Sequence, residues 1–302
     1  MGKRKLKRLF IFSDRININS DSKVVFISDV HRGNGGYTDA LLKNKNIYLS
    51  ALRYYLKEDY TLIELGDGDE LWKNKDARHI AYEYKDVFRI LNRFNTDKRL
   101  FMIWGNHDSI KSKKRFKDIQ KKKLKQYGES YGTEFLDLIY NIEFKESYVL
   151  SFEPLGKEIF VFHGHQLDFF NSELSKLSKF LVRYFWRFLE GILGFKEPTS
   201  PANNHVKCNN LDREYKKFSK ENKKMIICGH THDVRFPSPE EELYFNDGSC
   251  VNNFGITTLE INRGVIALIK WSIEIDENNR LYIKRSVIEG PEPLINYFKK
   301  LE

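Results

Sequence analysis

The chain is short of the residues that staple, hinge or anchor a protein. Of its 302 residues only three are cysteine, Cys208, Cys228 and Cys250. The number is odd and no CxxC pair occurs, which argues against a disulfide framework and against a thiolate zinc site. Both point to a reducing, cytoplasmic setting. There are seven prolines, no Pro- or Ser-rich linker and no repeat at a fixed period, so no seam between domains is visible. No apolar run reaches the length of a membrane-spanning helix. The most hydrophobic stretch, 180–195, is interrupted by Arg183, Arg187 and Glu190. The basic segment 1–9 lacks the apolar core of a signal peptide.

What is present is ordinary in amount and uneven in placement. Hydrophobic residues are 41% and charged residues 31% of the chain, a globular composition with enough apolar content for a core. Lys and Arg number 51 against 42 Asp and Glu, a formal charge of +9. That favours an anionic partner without choosing among a phosphorylated substrate, nucleic acid and an acidic membrane face. Short apolar runs alternate with longer amphipathic ones, the pattern of a layered α/β domain. Strands are expected at 23–28, 60–65, 99–104, 158–162 and 224–228, and antiparallel strands at 256–261, 265–275 and 281–287. Helices are expected at 42–56 and 76–94. The basic segment 111–125 reads as a solvated helix face ahead of a binding surface. Between 167 and 222 a helical insertion is expected, with Phe170, Leu174, Leu177, Leu181, Phe185, Phe188 and Ile192 on one face and Lys176, Lys179, Arg183 and Arg187 beside it.

The chemistry sits directly after the strands. KVVFIS is followed by Asp29-Val30-His31, TLIEL by Gly66-Asp67, and RLFMIW by Gly105-Asn106-His107-Asp108. EIFVF is followed by His163-Gly164-His165, and KMIIC by Gly229-His230-Thr231-His232. Six of the eight histidines lie in these clusters, and strand ends are where layered α/β folds bind ligands. Oxygen and imidazole donors suit Mn, Fe, Zn, Ni or Co. Alternation at a strand end points Asp29 and His31 to one side, as it does His230 and His232. Gly66, Gly105 and Gly229 are expected to permit sharp turns.

In this order, DVH, GD, GNHD, HGH and GHTH resemble the motifs of the calcineurin-like metallophosphoesterase superfamily. The resemblance implies an αββα sandwich of two stacked mixed sheets flanked by helices, over 22–290, with 167–222 as a lid and 291–302 as a tail helix. It further implies two divalent cations, manganese first. Asp29, His31 and His232 would hold one, and Asn106, His163 and His230 the other, with Asp67 bridging. His107 would face the scissile phosphate, oriented by Asp108. Water activated by the metals would attack phosphorus, making the protein a phosphatase or phosphodiesterase acting on a small-molecule or protein substrate.

Arg32 and His165 are candidate substrate contacts, each balanced against a structural role. Glu70 and Trp72 in GDGDELW are spaced from Asp67 as in UDP-diacylglucosamine pyrophosphatases, which keeps a lipid or nucleotide-sugar diphosphate as an alternative and peripheral membrane contact through the lid with it. A nuclease ranks next, and a non-catalytic interaction protein last, since no position of the motif set is missing. His79 and His205 have no motif around them.

Overall fold

The computed structural model describes residues 2–128, 130–168 and 205–301. Two sheets lie face to face. The larger has seven strands in the order β12-β11-β10-β2-β3-β4-β5. These are β2 (Lys23–Ile27), β3 (Thr61–Glu64), β4 (Leu100–Ile103), β5 (Phe144–Lys145), β10 (Ile256–Asn262), β11 (Val265–Ile275) and β12 (Leu281–Pro293). The smaller has five, β1-β6-β7-β8-β9, formed by Asp14–Ile18, Ser147–Phe152, Lys157–Phe162, Met225–Cys228 and Tyr244–Asn246. Strands β2 to β5 run parallel, as do β7, β8 and β9. Strand β10 returns antiparallel to β2 and carries the β11–β12 hairpin. The expected stacked mixed sheets are therefore present.

The continuous apolar runs follow from burial on both faces. Val24 and Phe26 of β2 point inward with Ile63, Ile103, Leu150, Ile159, Val161 and Ile227, and form the layer between the sheets. Val25 and Ile27 point outward onto helices α2 (Lys45–Lys57), α4 (Lys85–Thr96), α5 (Lys114–Lys125) and α6 (Thr133–Asn141). On the far side Val149, Phe160, Phe162 and Ile226 meet Leu6 of α1 (Gly2–Phe12) and Leu211, Tyr215 and Phe218 of α7 (His205–Asn222). Each such side chain contributes about 1.5–3 kcal/mol when fully buried.

Several expectations change. The helix expected over 76–94 is two, α3 (Arg78–Glu83) and α4, broken at Tyr84. Tyr84 is buried and its hydroxyl reaches both oxygens of Asp39 at 2.9 Å, a tertiary bond that local periodicity does not contain. Strand β12 runs to Pro293, so the closing helix α8 is only Leu294–Lys299. Within 111–125 the helix α5 keeps a solvated face and buries Phe116, Gln120 and Leu124, and Lys111, in the turn before it, is buried too. Helix α7, the later part of the expected lid, packs on the outer face of the smaller sheet as a flanking helix. The amphipathic face 170–192 lies outside the described residues.

Candidate metal centre

All five clusters converge at one end of the sandwich, because β2, β3, β4, β7 and β8 each deliver a loop from the carboxyl end of a parallel ladder. The local reason differs from simple strand alternation. Strand β2 stops at Ile27, and Asp29 and His31 both adopt left-handed backbone, φ 49° each. Asp67 (52°), His230 (71°) and His232 (58°) do the same. This conformation costs an L-residue about 1–2 kcal/mol, and Asp and His tolerate it better than branched residues. Five such positions in one pocket mark a site where geometry is held against local preference. Backbone bonds hold it: Asp29 N–H donates to Gly66 O, His31 N–H to Asp67 O and Arg32 N–H to Gly68 O, at 2.9–3.1 Å.

Gly66 does occupy a positive-φ turn, at 97°. Gly105 and Gly229 do not, and their reason is close approach. A Cβ at Gly105 would collide with the Asp67 carboxylate, and one at Gly229 with Ser28 Oγ and Asp29 Oδ2.

The donor atoms fall into two sets. Candidate ligand atoms of Asp29, His31 and His232 lie within 4.8 Å of one another, and so do those of Asp67, His163 and His230. His232 Nε2 is 3.0 Å from Asp29 Oδ1, and His163 Nε2 is 3.2 Å from Asp67 Oδ2. His31 Nε2 stands 3.8 Å from Asp29 Oδ1 and 4.0 Å from Asp67 Oδ2, spanning the sets. Asp29 Oδ1, His31 Nε2, Asn106 Oδ1 and His163 Nε2 are buried and make no hydrogen bond. Buried polar atoms are generally paired, so four such atoms from three loops in one pocket fit a cation.

The remaining hydrogen bonds fix which nitrogen is bare. His163 Nδ1–H donates to Leu65 O at 2.8 Å, leaving Nε2. His31 Nδ1 meets Glu70 Oε2 at 3.3 Å, again leaving Nε2. His230 differs: its Nε2 meets Asp168 Oδ2 at 3.1 Å, leaving Nδ1. Such carboxylate and carbonyl partners orient imidazole ligands. Asp29 Oδ2 is occupied by Ser28 Oγ–H (2.6 Å) and His230 N–H (2.7 Å). Asn246 Nδ2 donates to Gly229 O and fastens the GHTH loop.

Charge in the pocket is balanced internally. Burial by itself would raise the Asp67 carboxyl, but the His163 and His107 imidazoles outweigh it and hold Asp67 low. Burial would lower His163, but Asp67 and Asp29 push it up to about 9.

His107 has an orientation the sequence reading did not give. Its Nδ1 lies 2.9 Å from Glu70 Oε1, and its ring stacks on Trp72 at 4.3 Å and 22°. Glu70 Oε1 also accepts the Trp72 and Lys73 N–H groups, so one carboxylate fixes both His31 and His107. Burial opposes a charged His107, while Glu70 and then Asp67 raise its pKa.

Asp108, expected to orient His107, does not. It accepts Gly105 N–H and Gly68 N–H and pairs with Lys111 at 2.7 Å. Arg32, expected as a substrate contact, has no exposed surface. Its guanidinium is bidentate on Glu64 (2.7 and 3.0 Å), with Nε on Asp69 at 2.6 Å. Held by two carboxylates and shut off from solvent, this guanidinium is not presented to a phosphate.

His165 is buried beside Trp104, with Nδ1 unpartnered. Burial, then His163 and His230, hold it well below the usual imidazole range. Glu70 and Asp168 are the residues missed as site members. GDGDELW carried a signal for Glu70, whereas Asp168 had none beyond following His163 by five places. His79 is exposed, and all three cysteines are buried free thiols.

No curated protein gives a significant match. Among solved structures the chain is similar to Vps29 of Chaetomium thermophilum, at 9% identity and a TM-score of 0.37, covering 89% of this chain and 96% of that one. It is also similar to a 5'-nucleotidase candidate from Staphylococcus aureus in complex with alpha-ketoglutarate, at 12% identity and a TM-score of 0.32, covering 93% of this chain and 58% of that one. A sequence model described as calcineurin-like phosphoesterase matches residues 22–234. With that span of the chain matched, and the two-sheet sandwich in place, this protein belongs to the calcineurin-like phosphoesterase family.

Proposed function

We propose that the protein hydrolyses phosphate esters using two divalent cations, held by Asp29, His31 and His232 on one side and by Asn106, His163 and His230 on the other, with Asp67 shared. The observation that carries this is the set of buried donor atoms without hydrogen bonds, Asp29 Oδ1, His31 Nε2, Asn106 Oδ1 and His163 Nε2, gathered from three loops. Carboxylate, amide and imidazole donors suit manganese or similar ions better than thiolate-seeking ones. When bound, such a pair supplies positive charge for the phosphoryl oxygens and makes water more acidic.

The chain's own groups do the rest. Glu70 holds His107 Nδ1, so Nε2 is the nitrogen left to serve the substrate. The Glu70 charge favours the protonated ring, which suits donation to a leaving oxygen. Trp72 stacking limits rotation of that ring. The Glu70–His107 pair supports catalysis over a purely scaffolding role. The GDGDELW spacing keeps a diphosphate-linked lipid or nucleotide sugar as the second reading.

Metal-stripped protein, reconstituted with single cations, should be screened on phosphomonoesters, phosphodiesters and nucleoside diphosphate conjugates. Turnover that returns with Mn or a similar ion is expected. Hydrolysis that persists undiminished after verified metal removal sinks the reading.

A further inference from the structure

Helix α1 contains five Lys or Arg and no acidic residue: Lys3, Arg4, Lys5, Lys7 and Arg8. Its two faces do different things. Leu6, Leu9 and Phe10 fall at i, i+3 and i+4 and pack on the smaller sheet, with Phe10 edge-on to Phe160 at 5.5 Å. Arg4, Lys7, Arg8, Ile11 and Phe12 fall at i, i+3, i+4, i+7 and i+8, which places them on one opposite stripe. All five are exposed, Ile11 at 63% and Phe12 at 75%.

The cations on that stripe are available. Lys3 is engaged by Glu214 and Glu221, and Lys5 by Glu146. Arg4, Lys7 and Arg8 make no ion pair among the described residues. Arg8 lies 5.9 Å from the centre of the Phe12 ring, so the charge and the apolar tip form one patch. A solvated helix needs neither an uncompensated cation row nor two large apolar side chains in water at its end.

We propose that this stripe of α1 docks on an anionic lipid surface. Arg4, Lys7 and Arg8 would meet headgroup phosphates while Ile11 and Phe12 enter the boundary with the acyl chains. The apolar pair favours lipid over nucleic acid, because an acyl-chain boundary buries both Ile11 and Phe12, whereas an intact duplex presents its phosphates outward and keeps its base faces stacked inside. The proposed contact is peripheral, and no helix among the described residues is long and apolar enough to cross a membrane. The proposal stands apart from the metal centre. Helix α1 itself packs against the His165–Leu167 turn that leads out of that centre, with the proposed stripe on its opposite face.

The test is flotation of the full chain with phosphatidylcholine vesicles, with and without about one-third phosphatidylglycerol. Binding to the anionic vesicles alone, weakening with salt, is expected. Lys7→Gln/Arg8→Gln should lower the partition coefficient about ten- to thirtyfold. Ile11→Ser/Phe12→Ser should lower it about tenfold or more, and thermal unfolding should show that both variants keep the fold. Absent flotation, equal binding to neutral vesicles, or variants that float like the parent would overturn the proposal. So would a DNA duplex that displaces the protein from vesicles while the Ile11→Ser/Phe12→Ser variant binds that duplex unchanged, which assigns the stripe to nucleic acid.

Discussion

Two buried charged clusters lie on opposite sides of the loop 66–70, and their difference is instructive. On the inner side Arg32 and Lys111 face Glu64, Asp69 and Asp108, all essentially without exposed surface. Every polar atom there has a partner: Arg32 on Glu64 and Asp69, Lys111 on Asp69 and Asp108 at 2.8 and 2.7 Å. On the outer side Asp29, His31, Asn106 and His163 are just as buried, yet each keeps an atom with no hydrogen bond. Composition and burial do not distinguish a structural ion network from a ligand site. Closure does: the inner cluster satisfies itself, and the outer one is complete only with something added.

The comparison can be broken at several points. Asp67→Asn removes the carboxylate nearest both donor sets, and metal content by elemental analysis should fall together with all detectable turnover. An active, metal-replete variant would remove the outer cluster's claim. His107→Ala should lower turnover about 10²–10⁴-fold with metal content unchanged. Metal lost in proportion would make His107 a ligand instead.

Lys111→Met strikes the inner cluster by removing the cation shared by Asp69 and Asp108. Denaturant unfolding should show a loss of about 3–5 kcal/mol, while the folded fraction still binds metal. Unchanged stability would mean that the network is not the closed unit described. Glu70→Gln bridges the clusters in sequence but acts on the outer one, and should reduce metal affinity or turnover about 10–100-fold. An equal loss in a His107→Ala background would show that it does not act through His107. The smallest effect is in protons. His163 is pushed up to about 9 in the metal-free protein, so at neutral pH it must shed a proton to ligate. Metal binding should release that proton, and affinity should rise with pH up to about 9. Titration heats identical in buffers of different ionisation enthalpy would contradict this.

Much of the candidate site was legible because its residues sit next to strand ends, and strand ends are visible as the points where apolar runs stop. Asp29, His31, Asp67, Asn106, His163, His230 and His232 were all named from that adjacency and from the family resemblance, and the fold brings them into one pocket. The roles of Asp108, Glu70 and Arg32 were not legible. Asp108 is next to His107 in the chain but turns inward to Lys111, while Glu70, 37 positions away, reaches the ring. Arg32 follows His31 immediately and yet points into the core. Neighbours in the loop after β2, where Asp29 and His31 are left-handed and the residues beside them are not, do not share a side. The break at Tyr84 was hidden because its partner Asp39 is 45 positions distant.

The order of apolar runs and the chemistry placed after them were set by the chain alone, since burial on both faces of parallel strands demands the first and the donor types fix the second. Folding decided which charges close on one another and which are left open. That choice depends on side-chain direction and on partners tens of residues away, where one carboxylate of a loop turns toward a lysine and the next toward an imidazole. The energy of a buried polar atom is set by whoever stands within 3 Å of it, and no local pattern carries that information.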